Sequence, residues 1–74
     1  MTKRRRTRRE AATYLTEQRG FPVTFGALQV AASRGGGPAY QLFRGRALYD
    51  EDELDRWAES QLSPPRRSTS EQAA

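Results

Sequence analysis

The sequence contains no cysteine and no histidine. Disulfide scaffolds, Cys/His zinc sites and catalysis by a thiol or an imidazole are therefore excluded. Hydrophobic residues make up 35% of the 74 residues, fewer than the roughly 45–50% of an average globular chain. No apolar run approaches the ~18–20 residues of a membrane span, and the basic start is followed by no apolar segment like that of a secretory signal. We expect one small cytoplasmic domain with no membrane partner.

Charge is segregated along the chain. Residues 1–49 carry ten lysines and arginines and two glutamates, whereas residues 50–59 carry six acids and one arginine. This separation of charge indicates a basic face that binds a polyanionic partner and another face that is directed away from that partner. A solvated tail is the alternative interpretation of the basic run at 3–9, but that run leads directly into a helix signal, which favours the partner.

Two short helices are predicted in the first half of the chain. The capping-box pattern Thr-Arg-Arg-Glu at 7–10 predicts a helix over 8–18. Thr24 can cap a second helix that ends at Arg34, before the Gly-Gly-Gly-Pro run at 35–38. A connection of about five residues between two such helices indicates a helix-turn-helix.

A hairpin and a third helix follow. Two β-prone runs at 40–43 and 46–49, separated by Arg-Gly, predict the hairpin, although their alternation leaves open which face of each strand points inward. The acids at 50–53 suit the start of a helix with Asp50 as its cap, and the Ser-Pro-Pro run at 63–65 stops it.

This order of elements predicts an α+β fold that is mainly α: a small winged helix-turn-helix with a two-stranded wing and a C-terminal helix. We expect the domain at 7–63, a flexible basic arm at 1–6 and a disordered tail at 64–74.

The exposed side of the second helix suits the major groove of DNA. Gln29 can read adenine with two hydrogen bonds, Arg34 can reach guanine or phosphate, and Val30 can meet a thymine methyl group. Leu28 lies on the opposite, inward side of the helical wheel. An ordinary solvated helix face is the alternative, but residues 18–49 contain no acid. The residues expected to read bases are Thr24, Gly26, Gln29, Val30, Ser33 and Arg34.

Other basic residues are expected to contact phosphate or to enter the minor groove. For the arginines that flank the hairpin tip, the alternative is a charge that protects an edge strand. The expected contacts are Lys3, Arg4, Arg5, Arg6, Arg8, Arg9, Arg44 and Arg46.

Catalysis and metal binding are not expected. No nucleophile–base pair can be assembled without histidine or cysteine, and the consecutive acids at 50–55 lack the spacing of a calcium loop. We therefore expect a protein that is not an enzyme, with no cofactor and no small-molecule substrate.

Two stretches resemble the MerR-like excisionases and AlpA-type regulators: Thr-Arg-Arg-Glu-Ala-Ala-Thr-Tyr-Leu at 7–15 and Leu-Tyr-Asp-Glu-Asp-Glu-Leu-Asp-Arg-Trp at 48–57. Gly-Gly-Gly-Pro at 35–38 and Phe-Arg-Gly-Arg at 43–46 resemble the branch found in integrative and conjugative elements, whose members are recombination directionality factors.

The resemblance covers roughly residues 7–63. It implies a recognition helix around 24–34, a wing around 43–47, and a non-catalytic protein. Such a protein binds duplex DNA cooperatively near an attachment site and bends it, which helps a tyrosine recombinase (integrase) excise the element. Since Arg34 is the only basic residue of the second helix, the arm and the wing are expected to supply most of the charge.

The acidic helix suggests a contact between protomers. Glu51, Asp52 and Asp55 are candidates for meeting the basic surface of the next protomer, head to tail along DNA. The alternative is that these acids only stabilise the helix start. A transcription regulator of the same fold, an RNA-binding basic module and a protein-interaction adaptor remain alternative functions.

Overall fold

The computed structural model describes residues 4–67. Within them, three helices and a three-stranded antiparallel sheet form a small, mostly helical α+β domain, which confirms the predicted fold class at that level. The elements are β1 (Arg5–Thr7), α1 (Arg8–Thr13) continued by a π-helical segment (Tyr14–Gln18), α2 (Phe25–Arg34), β2 (Gln41–Phe43), β3 (Arg46–Asp50) and α3 (Glu51–Ser60).

Both predicted caps of the first two helices are present. The Glu10 amide donates to the Thr7 hydroxyl at 3.3 Å and the Thr7 amide donates to the Glu10 carboxylate at 2.9 Å, which completes a capping box. These bonds to Thr7 hold the pKa of Glu10 below its usual value. The Ala27 amide donates to the Thr24 hydroxyl at 3.0 Å. The two helices predicted at 8–18 and up to Arg34 are confirmed, with the difference that the first one ends in a π-helical segment.

The hairpin is confirmed, with Phe43 opposite Arg46 at its end. Its turn has a positive φ at Arg44 (52°) and at Gly45 (83°), as a type I′ turn requires at both central positions. The third strand was not predicted: β1 pairs antiparallel with β3, in the sheet order β1-β3-β2.

Two of the predictions, one on the arm and one on α3, need correction. Arg5 and Arg6 belong to β1 rather than to a flexible arm, because the backbone of β3 pairs with them. Helix α3 ends at Ser60 rather than close to the prolines, and Asp50 precedes it without a side-chain capping bond; its carboxylate lies 3.6 Å from the Arg5 guanidinium instead. Of the tail predicted at 64–74, residues 64–67 are exposed and 68–74 lie outside the described residues, as does Lys3.

The core lies between the three helices and the inner face of the sheet. Its fully enclosed large side chains are Leu15, Leu28, Tyr49 and Leu54, each of which contributes roughly 1.5–3 kcal/mol by burial. Trp57 packs against this core and its indole N–H donates to the Gly36 carbonyl at 2.8 Å. This bond links the loop after α2 to α3, just before the hairpin.

No helix among residues 4–67 combines the length and the apolar content needed to cross a bilayer.

Candidate nucleic-acid interface

The arginines between residues 4 and 56 fall into two sets. One set forms ion pairs with carboxylates: Arg4, Arg5, Arg6, Arg19 and Arg56. The other has no carboxylate of residues 4–67 within 4.0 Å: Arg8, Arg9, Arg34, Arg44 and Arg46. Every acid that pairs with the first set lies between residues 50 and 55. The acids at 50–55 therefore pair with one group of arginines, and the other group makes no ion pair with residues 4–67. The hydrogen bonds to Thr7 lower the pKa of Glu10, and Arg46 of the second group lies close enough to that carboxyl to lower it further.

Arg6, which is predicted to contact phosphate, is held by contacts within the chain. Its Nε donates to the Glu51 carboxylate at 2.7 Å, and its guanidinium lies 4.7 Å from the centre of the Tyr14 ring. Its side chain is 18% exposed. Arg4 and Arg5 are more exposed, yet both also face acids, at 3.8 Å from Glu51 and 3.6 Å from Asp50. The three described arginines of the predicted arm therefore all lie close to Asp50 or Glu51.

The acids predicted to contact a second protomer are mostly engaged within the chain. Glu51 pairs with Arg6, and Asp55 accepts a hydrogen bond from the Tyr14 hydroxyl at 2.8 Å and lies 3.2 Å from the Arg19 guanidinium. Burial and the bond to Asp55 raise the pKa of Tyr14 to about 12. Of the three, only Asp52 is exposed, and it makes none of these contacts.

The unpaired arginines of α1 lie where α1, α2 and the hairpin meet. The Arg9 guanidinium stacks 4.4 Å from the centre of the Phe25 ring, at the first residue of α2. Arg8 is half-buried and donates to the Tyr49 hydroxyl at 2.9 Å, so its position is fixed by the core. One surface depression joins the three elements; its lining residues are Thr7, Arg8, Arg9, Phe25, Arg46 and Ala47. A phosphate group at this depression would meet arginines from two elements.

The outer face of α2 agrees with the prediction. Leu28 is buried, whereas all six residues predicted to read bases are exposed: Thr24, Gly26, Gln29, Val30, Ser33 and Arg34. Val30 is 50% exposed. A Cβ added at Gly26 would meet only the Thr24 hydroxyl oxygen, at 4.0 Å. No side chain therefore covers the backbone at this position near the start of α2. The face offers an amide, hydroxyls, an aliphatic group and one guanidinium, which are the groups that bind base edges.

The hairpin tip carries two residues that sequence reasoning missed. Leu42 is 68% and Phe43 is 61% exposed, beside the exposed Arg44 and Arg46. Both apolar residues look like core formers in the sequence. They follow each other in one strand, so strand alternation places them on opposite faces and only the structure shows that neither is covered.

Comparison of the chain with protein-family models, with curated proteins and with solved structures finds no match. The assignment of function therefore rests on the chain's own residues and on the resemblance described above.

Proposed function

We propose that the chain is a winged helix-turn-helix protein that binds duplex DNA, with α2 in the major groove and the β2–β3 hairpin as its wing. One observation carries the proposal: the arginines without carboxylate partners lie on α1, α2 and the hairpin, whereas the acids at 50–55 pair with the others. Guanidinium groups without ion pairs around an exposed helix favour a polyanion, because neutralising phosphates releases their counterions.

The proposed contacts divide by role. Arg9, Arg44 and Arg46 bind phosphates and thereby fix the position of the domain on the duplex. These phosphate contacts do not distinguish one base sequence from another. Gln29 and Arg34 on the exposed face of α2 read base edges, as do its hydroxyl groups. Arg8 contributes mainly by holding the start of α1 against Tyr49.

The more specific role that we propose is that of a recombination directionality factor. In this role the protein binds cooperatively, bends DNA near an attachment site and promotes excision by a tyrosine recombinase. The sequence resemblance at 7–15 and 48–57 supports it. A small transcription regulator of the same fold is the alternative, since the same surface would serve both roles. An integrase gene next to the gene of this chain would favour the first.

An RNA-binding module is the competing class. Phe43 is 61% exposed, and exposed aromatic rings can stack on unpaired bases. The binding test therefore includes an RNA ligand beside duplex DNA.

The test starts with a library of duplexes that contain a random central segment. Duplexes retained by the protein are sequenced, and fluorescence anisotropy then compares the selected duplex with a scrambled duplex of the same composition and with a stem-loop RNA. We expect a preference of roughly tenfold or more for the selected duplex. Equal affinity for all three nucleic acids would contradict the proposal.

Replacing Gln29 tests the reading of bases by α2. The Gln29→Ala variant is expected to lose roughly 1–3 kcal/mol of discrimination at one base pair of the selected site, and to keep its affinity for the scrambled duplex. The control is Gln61→Ala, which removes the same side chain after the end of α3. Discrimination that is unchanged in Gln29→Ala, or equally reduced in both variants, would show that this residue does not read a base.

The directionality role is tested in a reconstituted excision reaction with the integrase encoded nearest to the gene of this chain. Addition of the protein should increase excision of a segment between paired attachment sites. Site-specific binding without any effect on excision would leave the regulator as the supported role.

A further inference from the structure

The tip of the β2–β3 hairpin has an apolar surface that the fold does not use. Leu42 and Phe43 are the two most exposed large hydrophobic residues in the part of the chain that the structure describes. Neither belongs to the core cluster nor packs against it. This apolar surface is not covered by the fold and is therefore available to a partner.

Two arginines lie close to Phe43 at this tip. The Arg44 guanidinium lies 5.8 Å from the centre of the Phe43 ring. Arg46 is the register partner of Phe43, so the two side chains share a face of the hairpin. Neither arginine has a carboxylate of residues 4–67 within 4.0 Å. The tip therefore combines an aromatic ring with two arginines that make no ion pair with residues 4–67.

The hairpin holds this tip in a defined position. Arg44 and Gly45 form a tight turn with positive φ values, and three residue pairs join β2 to β3. On its other edge β3 pairs with β1. A small, firmly held tip can enter a groove without a large loss of conformational entropy.

We propose that Phe43 is a wedge that enters the minor groove and partly unstacks a base step, which kinks the duplex. This inference rests on the proposed DNA-binding function and adds to it a residue and a deformation of the DNA. Proteins that kink DNA from the minor groove insert apolar side chains in this way. Arg44 and Arg46 would meet the phosphates on either side of the inserted ring.

Charge favours DNA over a second copy of the chain as the occupant. Contact of the tip with the tip of another copy would bring Arg44 and Arg46 of both copies close together, which like charges oppose. The phosphates that line the minor groove supply the opposite charge beside the apolar surface.

The test uses two duplexes of about 30 base pairs, one fully paired and one with a two-base mismatch at its centre. Each carries 2-aminopurine beside the central step, whose fluorescence rises when the base unstacks. Mismatched DNA is already easy to kink, so the wild-type protein should bind it about tenfold more tightly than the paired duplex. Binding should also raise the fluorescence of the paired probe.

The Phe43→Ala variant is expected to bind both duplexes with nearly equal affinity and to leave the fluorescence unchanged. Phe43→Leu, which keeps an apolar wedge, should retain most of the preference. Leu62→Ala is the matched control, because Leu62 is another large hydrophobic residue with 58% exposure and lies outside the hairpin. Circular dichroism and sedimentation of each variant check the fold and self-association.

The outcomes separate the two proposals. Salt-dependent binding of the paired duplex with the same preference and fluorescence change in Phe43→Ala would overturn the wedge and leave DNA binding intact. Reduced self-association in Phe43→Ala, with that preference and signal unchanged, would overturn it in favour of a contact between copies. If the wild-type protein bound neither duplex, both proposals would fail.

Discussion

At the scale of one residue, the backbone conformation at Arg44 is unfavourable for an arginine, whereas the proposed function requires its positive charge. Its φ of 52° lies in the left-handed region, which costs most L-residues roughly 1–2 kcal/mol and which asparagine or glycine tolerates. Type I′ turns prefer Asn-Gly at these positions. The chain has an arginine there instead, at an exposed tip where the proposed function requires positive charge.

Replacing Arg44 should separate stability from binding. We expect Arg44→Asn to raise the free energy of unfolding by about 0.5–1 kcal/mol, because it relieves the backbone strain, and to weaken binding to duplex DNA. Urea denaturation and fluorescence anisotropy measure the two effects. Arg44→Lys is the control: it keeps the charge and the strain, so both quantities should stay close to wild type. An Arg44→Asn variant that is no more stable than wild type would contradict the account of the turn.

At the scale of elements, β1 depends on contacts that are distant in sequence. Its three residues Arg-Arg-Thr have no apolar alternation, and its backbone pairs with β3. Arg6 joins it to α3 through Glu51, 45 residues along the chain. The strand could not be predicted because its pairing with β3 forms only after the fold brings the two strands together. Both faces of α2 could be predicted because helical periodicity is a local pattern.

Arg6 and Arg4 test this role of β1. Arg6→Ala should cost about 2–3 kcal/mol of unfolding free energy, because it leaves the half-buried Glu51 without its closest partner and removes the contact with the Tyr14 ring. Arg4→Ala should change stability by less than about 0.5 kcal/mol, since Arg4 is 74% exposed and its ion pair is long. Chemical denaturation of both variants gives the comparison. Equal losses, or a loss confined to Arg4→Ala, would show that Arg6 does not anchor the strand.

At the scale of the whole molecule, the charge polarity read from the sequence has a structural counterpart. The basic first part and the acidic segment at 50–59 predict a polarised protein, and the hairpin and the caps of the first two helices follow from local patterns. The sequence does not show which arginines the acids neutralise, because those pairs form across the fold. Arg4, Arg5 and Arg6 therefore drop to a minor role in the proposed interface, and Arg9, Arg44 and Arg46 carry more of it.

The salt dependence of duplex binding by three charge-matched variants tests this division most directly. Each arginine that binds a phosphate adds about 0.9 to the slope of log affinity against log salt concentration. Arg9→Ala and Arg46→Ala should each reduce the slope by about one. Arg56→Ala removes the same charge from α3, where it pairs with Glu53, and should leave the slope unchanged. A wild-type affinity that does not respond to salt, or an equal reduction in all three variants, would contradict the account.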